Sequence, residues 1–121
     1  VLLFDLRPKD DRALPGFQAG AHIDVHLPEG LRRSYSLVND PAERHRYVIA
    51  VQREASGRGG SRWMHESVSA GDSLQIGVPE NAFPMRLDAP DSVFIAGGIG
   101  ITPLWCMIQA LSKEGRPWSL Y

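Results

Sequence analysis

The chain has 121 residues, of which 43% are hydrophobic and 22% are charged, and its formal net charge is −1. This composition is typical of a soluble globular protein with a hydrophobic core. The near-zero charge excludes a general electrostatic attraction to nucleic acid or to an anionic membrane. A single cysteine, Cys106, excludes an internal disulfide and a cysteine-ligated zinc or iron–sulfur site within these residues. It also favours a reducing compartment, so we expect a cytoplasmic protein.

The first two-thirds of the sequence predicts β-structure. Residues 22–27 alternate between polar and apolar side chains, as in a strand with one buried face. Further strands are predicted over residues 34–38, 47–51 and 73–78, with Asn39-Asp40-Pro41 as one of the turns between them. Short strands at this spacing, without a long helix between them, favour a β-sandwich or a small barrel.

The pattern changes near residues 88–91. Residues 92–96 form a largely apolar run, as in a strand covered on both faces. Thr102 is predicted to cap a helix with Pro103 at its first position. Apolar residues then recur at helical spacing, namely Leu104, Met107, Ile108 and Leu111. With a further strand from Trp118, this order predicts one β-α-β unit at the front of a parallel α/β domain, and we interpret the chain as a fragment of a longer polypeptide.

Residues 57–68 contain the first of three candidate anion-binding motifs. Three glycines within residues 57–60 allow the backbone to bend so that consecutive N–H groups point at one spot. Ser61 stands at the predicted start of a short helix, where unpaired N–H groups and the helix dipole favour phosphate, and Arg58 and Arg62 flank it. The alternative is a flexible glycine turn capped by serine.

The second motif lies on the strand that follows Arg32. In a strand, Arg33, Tyr35 and Leu37 share one face, whereas Arg32 points to the opposite face and is expected in solvent. The Arg33 guanidinium could hold a phosphate with two hydrogen bonds, and Tyr35 could lie against a ring. The alternative is a solvated edge strand.

The third motif spans residues 96–103, between a predicted strand and a predicted helix. This is the context of a dinucleotide-binding loop. Gly98 and Gly100 match the first two glycines of the G-x-G-x-x-G fingerprint, but Pro103 stands at the third position. The order of strand, loop, helix and strand therefore supports a nucleotide-binding loop.

Four motifs together resemble the ferredoxin–NAD(P)H reductase superfamily. Within it they are similar to the reductase components of Rieske-type aromatic-ring oxygenases and O-demethylases, the phthalate dioxygenase reductase and vanillate demethylase reductase group. The motifs are Arg33-Ser34-Tyr35-Ser36-Leu37, Gly57-Arg58-Gly59-Gly60-Ser61, Pro79-Glu80-Asn81-Ala82-Phe83-Pro84 and Gly97-Gly98-Ile99-Gly100-Ile101-Thr102-Pro103. The resemblance implies a mainly β fold. Residues 1–88 would form a six-stranded antiparallel flavin-binding barrel, with an N-terminal strand that need not be complete, and residues 89–121 would begin a truncated NAD(P)-binding α/β domain.

The resemblance also implies roles for individual residues. Arg33 would bind the flavin phosphate, Tyr35 would lie along the isoalloxazine ring or the ribityl chain, and Ser36 would lie near the ring nitrogen N5. Thr102 would approach the flavin from the second domain, which makes Ser36 and Thr102 the catalytic candidates. The implied cofactor-binding residues are Arg33, Ser34, Tyr35, Ser36, Ala50, Val51, Gln52, Arg58, Gly59, Gly60, Ser61, Gly98, Gly100 and Thr102. No metal ligand is implied.

The function implied by the resemblance is that of a flavin-dependent NAD(P)H oxidoreductase. It would pass hydride from NADH or NADPH to flavin, and then single electrons to an iron–sulfur domain or to an oxygenase component. FMN is the expected flavin, with FAD as the alternative, and a [2Fe-2S] cluster is expected only in a domain beyond these residues. The 121 residues alone are expected to be inactive or weakly active, and neither nucleic acid nor a membrane is an expected partner. A non-catalytic flavin- or ligand-binding barrel and a free-flavin reductase are the alternative functions.

Several other residues allow two interpretations each. His22, Asp24 and His26 share one strand face and could bind a metal, although a solvent-facing side of an edge strand is the simpler interpretation. His65 could contact the flavin phosphate or pack within the protein. Cys106 is expected to be buried and inert.

The remaining candidates are aromatic residues and one amide. Trp63 and Trp105 are expected in the core or at a domain interface. Asn81 and Phe83 could border the flavin, or they could shape the turn that leaves the barrel.

Overall fold

In a computed structural model of the protein, residues 1–55, 57 and 59–121 are described. The strands are β1 (Leu2–Leu6), β2 (His22–His26), β3 (Arg32–Ser36), β4 (Tyr47–Val51), β5 (Gln75–Ile76), β6 (Ser92–Phe94) and β7 (Trp118–Leu120). The two α-helices are α1 (Gly60–Ser67) and α2 (Ile101–Lys113). No helix in this described part of the chain combines the length and the apolar character needed to cross a bilayer.

The strands form two antiparallel sheets and one parallel pair. β1 pairs with β4, β2 lies between β3 and β5, and β6 pairs in parallel with β7. An isolated bridge between Leu37 and Ile49 joins the two antiparallel sheets just beyond β3. The predicted fold class is confirmed, since antiparallel β-structure is followed by a β-α-β unit. Within the described residues, five strands form the antiparallel part, where the resemblance implied six.

The segment after β5 pairs irregularly with β2. Val25 lies opposite Ile76 and His22 lies opposite Glu80. Three steps along β2, from 25 to 22, therefore match four steps along the paired segment, from 76 to 80. The extra residue is a β-bulge, which interrupts the ladder and leaves Glu80 as an isolated bridge. The strand predicted over residues 73–78 is correspondingly shorter.

The buried residues form two hydrophobic clusters. The first lies in the antiparallel part and consists of Ala21, Ile23, Val25, Leu27, Leu37, Tyr47, Ile49, Val51 and Met64. The second surrounds α2 and consists of Ala19, Phe94, Leu104, Cys106, Met107, Ile108 and Leu111. The apolar stripe predicted for the second helix is thus its buried face. Ala19 belongs to the second cluster although it precedes β2, so the division at residue 88 stays a prediction.

The parallel pair is covered on one face only. Phe94 and Leu120 pack on α2, whereas Val93 and Ile95 on the other face are 63% and 79% exposed. The apolar run over residues 92–96 predicted a strand covered on both faces. Among the described residues, a helix covers one side of this sheet, and the side chains on the second face are therefore exposed to solvent.

Helix α2 is anchored to the segment that follows β3. The Gln109 side chain donates a hydrogen bond to the Val38 carbonyl (2.7 Å), and Lys113 forms an ion pair with Asp40 (2.6 Å). The hydrogen bond from Lys113, together with one from the Ala42 backbone, holds the pKa of Asp40 below its usual value. These contacts hold the β-α-β unit against the end of β3.

The side chain of Asn39 is buried and ties this segment to β4. Its amide nitrogen donates to the Arg46 carbonyl (3.1 Å), and its oxygen accepts from the Val48 N–H (2.9 Å). The sequence indicated only a turn at this position. Asn39 therefore fixes the path of the chain between β3 and β4, beside the surface on which α2 packs.

The start of α2 differs from the prediction. The helix begins at Ile101, and no side-chain hydrogen bond caps it. A short 3₁₀ turn over Gly98–Gly100 leads directly into the helix, and the Ile101 N–H donates to carbonyls of this turn. The cap prediction for Thr102 is therefore wrong, since Thr102 lies inside the first helical turn.

Cys106 is expected to resist alkylation in the folded chain. Its thiol is buried and donates to the Asn39 carbonyl (3.2 Å). Burial raises the pKa of Cys106 to about 11, and the thiolate is the reactive form. In mildly alkaline buffer, iodoacetamide should label the native chain far more slowly than the chain unfolded in guanidinium. Mass spectrometry measures the two labelling rates. Equal rates for the native and the unfolded chain would contradict the buried position of the thiol.

Candidate functional site

The structure brings the first two anion-binding motifs together at the start of α1. A Cβ atom built on Gly60 would lie 3.0 Å from Arg33 Nε and 3.1 Å from a methyl carbon of Leu27. The Arg33 side chain therefore crosses directly over the first residue of the helix. No carboxylate among the described residues forms an ion pair with Arg33. A phosphate at this helix N-terminus would thus meet a guanidinium as well as backbone N–H groups.

Local backbone geometry makes this close approach possible. Gly59 precedes the helix with φ of 93°, a left-handed conformation that glycine adopts without strain. Gly60 is buried, and any side chain there would press against Arg33 and Leu27. The two glycines are therefore required for different reasons, one for conformation and one for space.

Ser61 has a different role from the predicted helix cap. Gly59 is the capping residue, and the Ser61 hydroxyl oxygen accepts a hydrogen bond from the Glu54 N–H (2.9 Å). This bond closes the loop between β4 and α1. Because a hydroxyl that accepts one hydrogen bond can still donate another, Ser61 keeps a donor for an anion at the helix start.

Tyr35 lies on the same face of β3 as Arg33. Tyr35 is opposite Ile23 and Arg33 is opposite Val25, and both partners belong to the buried face of β2. Burial raises the pKa of Tyr35, while the nearby Arg33 guanidinium opposes this shift. The predicted placement of a cation and a ring on one strand face is therefore observed.

The outer face of β3 carries Arg32 and Ser34. The Ser34 hydroxyl donates a hydrogen bond to Asp24, and Arg32 lies 4.0 Å from the same carboxylate. The Ser34 hydrogen bond is the main cause that lowers the pKa of Asp24. Arg32 is exposed, as predicted. The Ser34 side chain points away from Arg33, so any contact of Ser34 with a ligand beside Arg33 would involve its backbone.

The strands β3 and β4 belong to different sheets and are joined by the isolated Leu37–Ile49 bridge. Ser36 precedes Leu37, and Ala50 follows Ile49. Gln52 follows the end of β4 and is exposed. Ser36 and Ala50 are therefore the neighbours of the two bridged residues, whereas the grouping of Ser36 with residues 50–52 around a ring edge stays a prediction.

His65 links α1 to β4. Its Nε2 lies 2.7 Å from the Val51 carbonyl oxygen, which can only accept, so Nε2 carries the hydrogen. The structure therefore favours packing over phosphate contact for His65. It also gives the Val51 carbonyl a protein partner.

The third motif lies at the surface in front of α2. Gly98 has φ of +57°, and a Cβ atom on Gly97, Gly98 or Gly100 would meet no other atom within 4 Å. Thr102 is half-buried and lies one helical turn before Cys106, which contacts the Asn39 carbonyl. The loop is thus open to a ligand, and Thr102 lies on the helix face that packs beside the end of β3.

The remaining candidates are Arg58, the possible metal ligands and two tryptophans. Arg58 lies outside the described residues. In the described part of the chain, no group of three or more His, Cys, Asp or Glu side chains is close enough to hold a metal ion. Trp63 packs against the first cluster, whereas Trp105 is 46% exposed and belongs to neither cluster.

Asn81 shapes the turn after the bulge. Its side chain donates to the Ala19 carbonyl (3.1 Å) and accepts from the Phe83 N–H (3.0 Å). The Phe83 side chain is 54% exposed. Of the two interpretations of Asn81, the turn-shaping one is supported by these contacts.

Sequence reasoning missed Glu54 and Gly20. Glu54 closes the loop through its backbone N–H. Such a contact does not depend on the side chain, so the sequence carries no pattern for it. Gly20 is buried, with φ of +101°, two residues before β2. A lone glycine ahead of an alternating strand was the available signal for that turn.

Comparisons with known proteins place these features in context. No protein-family model matches the sequence. The chain is 57% identical over 121 residues to phenoxybenzoate dioxygenase subunit beta of Ectopseudomonas oleovorans, covering 100% of this chain and 38% of the relative. It is 54% identical over 104 residues to vanillate O-demethylase oxidoreductase of Pseudomonas putida, covering 86% of this chain and 33% of the relative.

The fold comparison agrees with the sequence comparison. A solved structure of phthalate dioxygenase reductase, described as modular for electron transfer from pyridine nucleotides to [2Fe-2S], superposes with a TM-score of 0.95 and 46% identity. The match covers 98% of this chain and 37% of that structure, so the chain spans little more than a third of such relatives. Over its own length the chain is therefore a homologue of the phthalate dioxygenase reductase and vanillate O-demethylase oxidoreductase group, which confirms the predicted resemblance.

Proposed function

We propose that the chain is the flavin-binding core of an NAD(P)H-dependent electron-transfer reductase. Such a reductase passes hydride from the nicotinamide to the flavin, and then single electrons to an iron–sulfur acceptor that feeds an oxygenase. The observation that carries the proposal is that Arg33 lies over the start of α1 while Tyr35 shares its face of β3. The similarity to dioxygenase and demethylase reductases supports the reaction class.

The residues present fit a phosphate-bearing flavin. Arg33, the N–H groups at Gly60 and Ser61, and the Ser61 hydroxyl would hold the phosphate. A dianionic phosphate that leaves water needs such partners. A helix N-terminus contributes only roughly 0.3–1 kcal/mol at exposed sites, which is why a direct cation is expected as well. When bound, the flavin supplies the conversion of a two-electron hydride into single electrons, which side chains cannot perform.

The other residues would define the ring site and the nucleotide site. Tyr35 would lie along the ring or the ribityl chain, while Ser36 and residues 50–52 would border the ring edge beside the Leu37–Ile49 bridge. Thr102 would approach from α2. The exposed loop with Gly98 and Gly100 would face NADH or NADPH.

FMN is the proposed flavin. Among the described residues, the Arg33 guanidinium lies beside Gly60. One guanidinium can pair with one phosphate group. Glu29 lines a small pocket with Gly59, Gly60 and Trp63 next to the helix start. A second phosphate extending into this pocket would lie near an acidic residue, which disfavours the pyrophosphate of FAD.

The proposal extends to the surroundings of the site. Residues 1–88 would be the flavin-binding part, and residues 89–121 the beginning of the nucleotide-binding part. The single, buried cysteine is consistent with a cytoplasmic location.

Flavin binding tests the proposal directly. The purified chain is titrated with FMN and with FAD, and binding is followed by flavin fluorescence and absorbance. We expect FMN to bind more tightly than FAD and to remain bound through desalting. A colourless chain without affinity for either flavin would overturn the proposal, and rapid exchange of weakly held flavin would favour the free-flavin reductase.

Replacing Gly60 by alanine is expected to raise the Kd of FMN about fivefold. The new Cβ would lie 3.0 Å from Arg33 Nε, so the guanidinium must shift by a few tenths of an ångström from its position over the helix start. An off-rotamer side chain of this kind costs of order 1 kcal/mol. Fluorescence titration measures the change.

The Gly57→Ala variant is the matched control. A Cβ on Gly57 meets only ordinary contacts with Glu54, at 3.7 Å or more. We expect its FMN affinity to stay within twofold of the parent chain. Unchanged affinity in Gly60→Ala would contradict the placement of the phosphate beneath Arg33.

A further inference from the structure

Helix α1, which would bind the flavin phosphate at its start, also holds the chain that follows β4. Three contacts tie residues 51–54 to this helix: His65 Nε2 to the Val51 carbonyl oxygen (2.7 Å), Glu66 to Arg53 (2.6 Å), and the Ser61 hydroxyl to the Glu54 N–H (2.9 Å). Residues 50–52 are the ones predicted to border the ring edge. One helix is therefore connected both to the predicted phosphate site and to the predicted ring edge.

The contact made by His65 is the one shielded from water. Val51 is fully buried and His65 is half-buried, whereas the side chains of Arg53 and Glu66 are 49% and 44% exposed. An exposed ion pair contributes little to holding a segment in place. A hydrogen bond to a buried carbonyl is stronger, because the local dielectric constant is low. His65 therefore fixes the peptide group between Val51 and Gln52.

This peptide group also determines where the Gln52 N–H points. The group is trans, so its C=O and its N–H point in opposite directions, and the Gln52 N–H points away from His65. The backbone N–H and C=O of Val48 bond to residues 38–39, which continue β3. Backbone groups alternate in direction along a strand, so the N–H groups of residues 50 and 52 face that same side. Within the described part of the chain, no residue accepts a hydrogen bond from the Gln52 N–H.

We propose that His65 is a positioning residue that aims the Gln52 N–H at the edge of the flavin ring. The inference rests on the proposed function, in which residues 50–52 border the ring. His65 acts through the peptide group: its Nε2–H holds the Val51 carbonyl, and the N–H at the other end of the same group meets the ring. The N–H thus keeps one direction before and after the flavin is reduced.

An N–H donor at the ring edge favours the reduced flavin. Reduction adds two electrons to the ring and makes its nitrogen and oxygen acceptors more negative. Hydrogen bonds to charged acceptors are stronger than hydrogen bonds to neutral ones. A well-aimed N–H therefore stabilises reduced FMN more than oxidised FMN, and an N–H that is no longer held in line loses this difference.

The reduction potential of bound FMN tests this role without measuring turnover. Its difference from the potential of free FMN gives the ratio of the Kd values of oxidised and reduced FMN, and a tenfold change in this ratio is about 30 mV for a two-electron couple. We expect His65→Leu to weaken the binding of reduced FMN about fivefold more than that of oxidised FMN. The potential should then fall by about 20 mV.

Two further variants separate the hydrogen bond from the rest of the side chain. His65→Gln places an amide N–H near the position of the imidazole Nε2–H, and we expect it to keep the parent potential. Glu66→Gln removes the exposed ion pair with Arg53 beside His65, and its potential should also stay at the parent value. An equal fall in His65→Leu and His65→Gln would overturn the role of the donor.

Amide NMR of the whole chain shows whether the Gln52 N–H meets the ring. Addition of FMN is expected to move the Gln52 amide proton downfield, and to move it less in His65→Leu. Circular dichroism verifies folding, and His65→Asn, whose shorter amide does not reach Val51, replaces the leucine variant if that chain does not fold. The parent potential in the folded variant, or a Gln52 amide that bound FMN does not move, would overturn the inference alone. A parent chain that binds no FMN would overturn it together with the proposed function.

Discussion

Replacing Arg33 by alanine is expected to raise the Kd of FMN at least tenfold. A charge-assisted hydrogen bond to a phosphate contributes roughly 1.5–3 kcal/mol, and about 1.4 kcal/mol corresponds to a factor of ten in Kd. The helix N-terminus and the Ser61 hydroxyl remain in the variant, so binding should weaken without being abolished. Fluorescence titration of the purified variant with FMN measures the effect.

Arg32→Ala is the matched control for this prediction. Arg32 is adjacent in sequence and carries the same charge, but its side chain is exposed on the opposite face of β3. We expect its FMN affinity to change by less than twofold. Equal losses in the two variants would show that net charge, rather than the position of Arg33, determines binding.

Replacing Gly20 by alanine is expected to destabilise the fold by about 3 kcal/mol. A Cβ at this position would lie 2.0 Å from the Phe83 carbonyl oxygen, and φ is +101°. A left-handed conformation costs a residue with a side chain roughly 1–2 kcal/mol, and overpacking adds typically about 1–3 kcal/mol. The backbone atom cannot move aside as a flexible side chain could, because Asn81 holds this turn against Ala19. Urea unfolding followed by circular dichroism measures the free energy of unfolding.

Gly30→Ala separates the two contributions. Gly30 also has a positive φ, of +74°, but a Cβ there meets no atom within 4 Å. We expect it to cost about 1 kcal/mol, from conformation alone. A Gly20→Ala chain as stable as Gly30→Ala would contradict the close packing of residue 83 on residue 20.

Local periodicity predicted the parts of the site that lie within one element. The alternation along β3 placed Arg33 and Tyr35 on one face and Arg32 on the other, and the structure has them so. Helical spacing likewise predicted the buried face of α2. Both results depend only on residues a few positions apart, where the geometry of a strand or helix fixes direction.

Contacts between distant segments could not be predicted in this way. Cap preferences assigned Ser61 and Thr102 to helix starts, but the glycines before each helix allow the chain to enter it without a side-chain cap. The Ser61 hydroxyl instead accepts from Glu54. The bulge opposite His22, the packing of Phe83 on Gly20 and the burial of Asn39 also depend on which segments become neighbours, which a single sequence does not reveal.

The comparison of FMN with riboflavin tests the central claim most directly. The two ligands share the ring and the ribityl chain and differ only in the phosphate, so their affinity ratio isolates the site formed by Arg33 and the start of α1. We predict that the chain binds FMN at least tenfold more tightly than riboflavin, and that this ratio falls in Arg33→Ala. Equal affinities of the parent chain for FMN and riboflavin would contradict the proposed phosphate site.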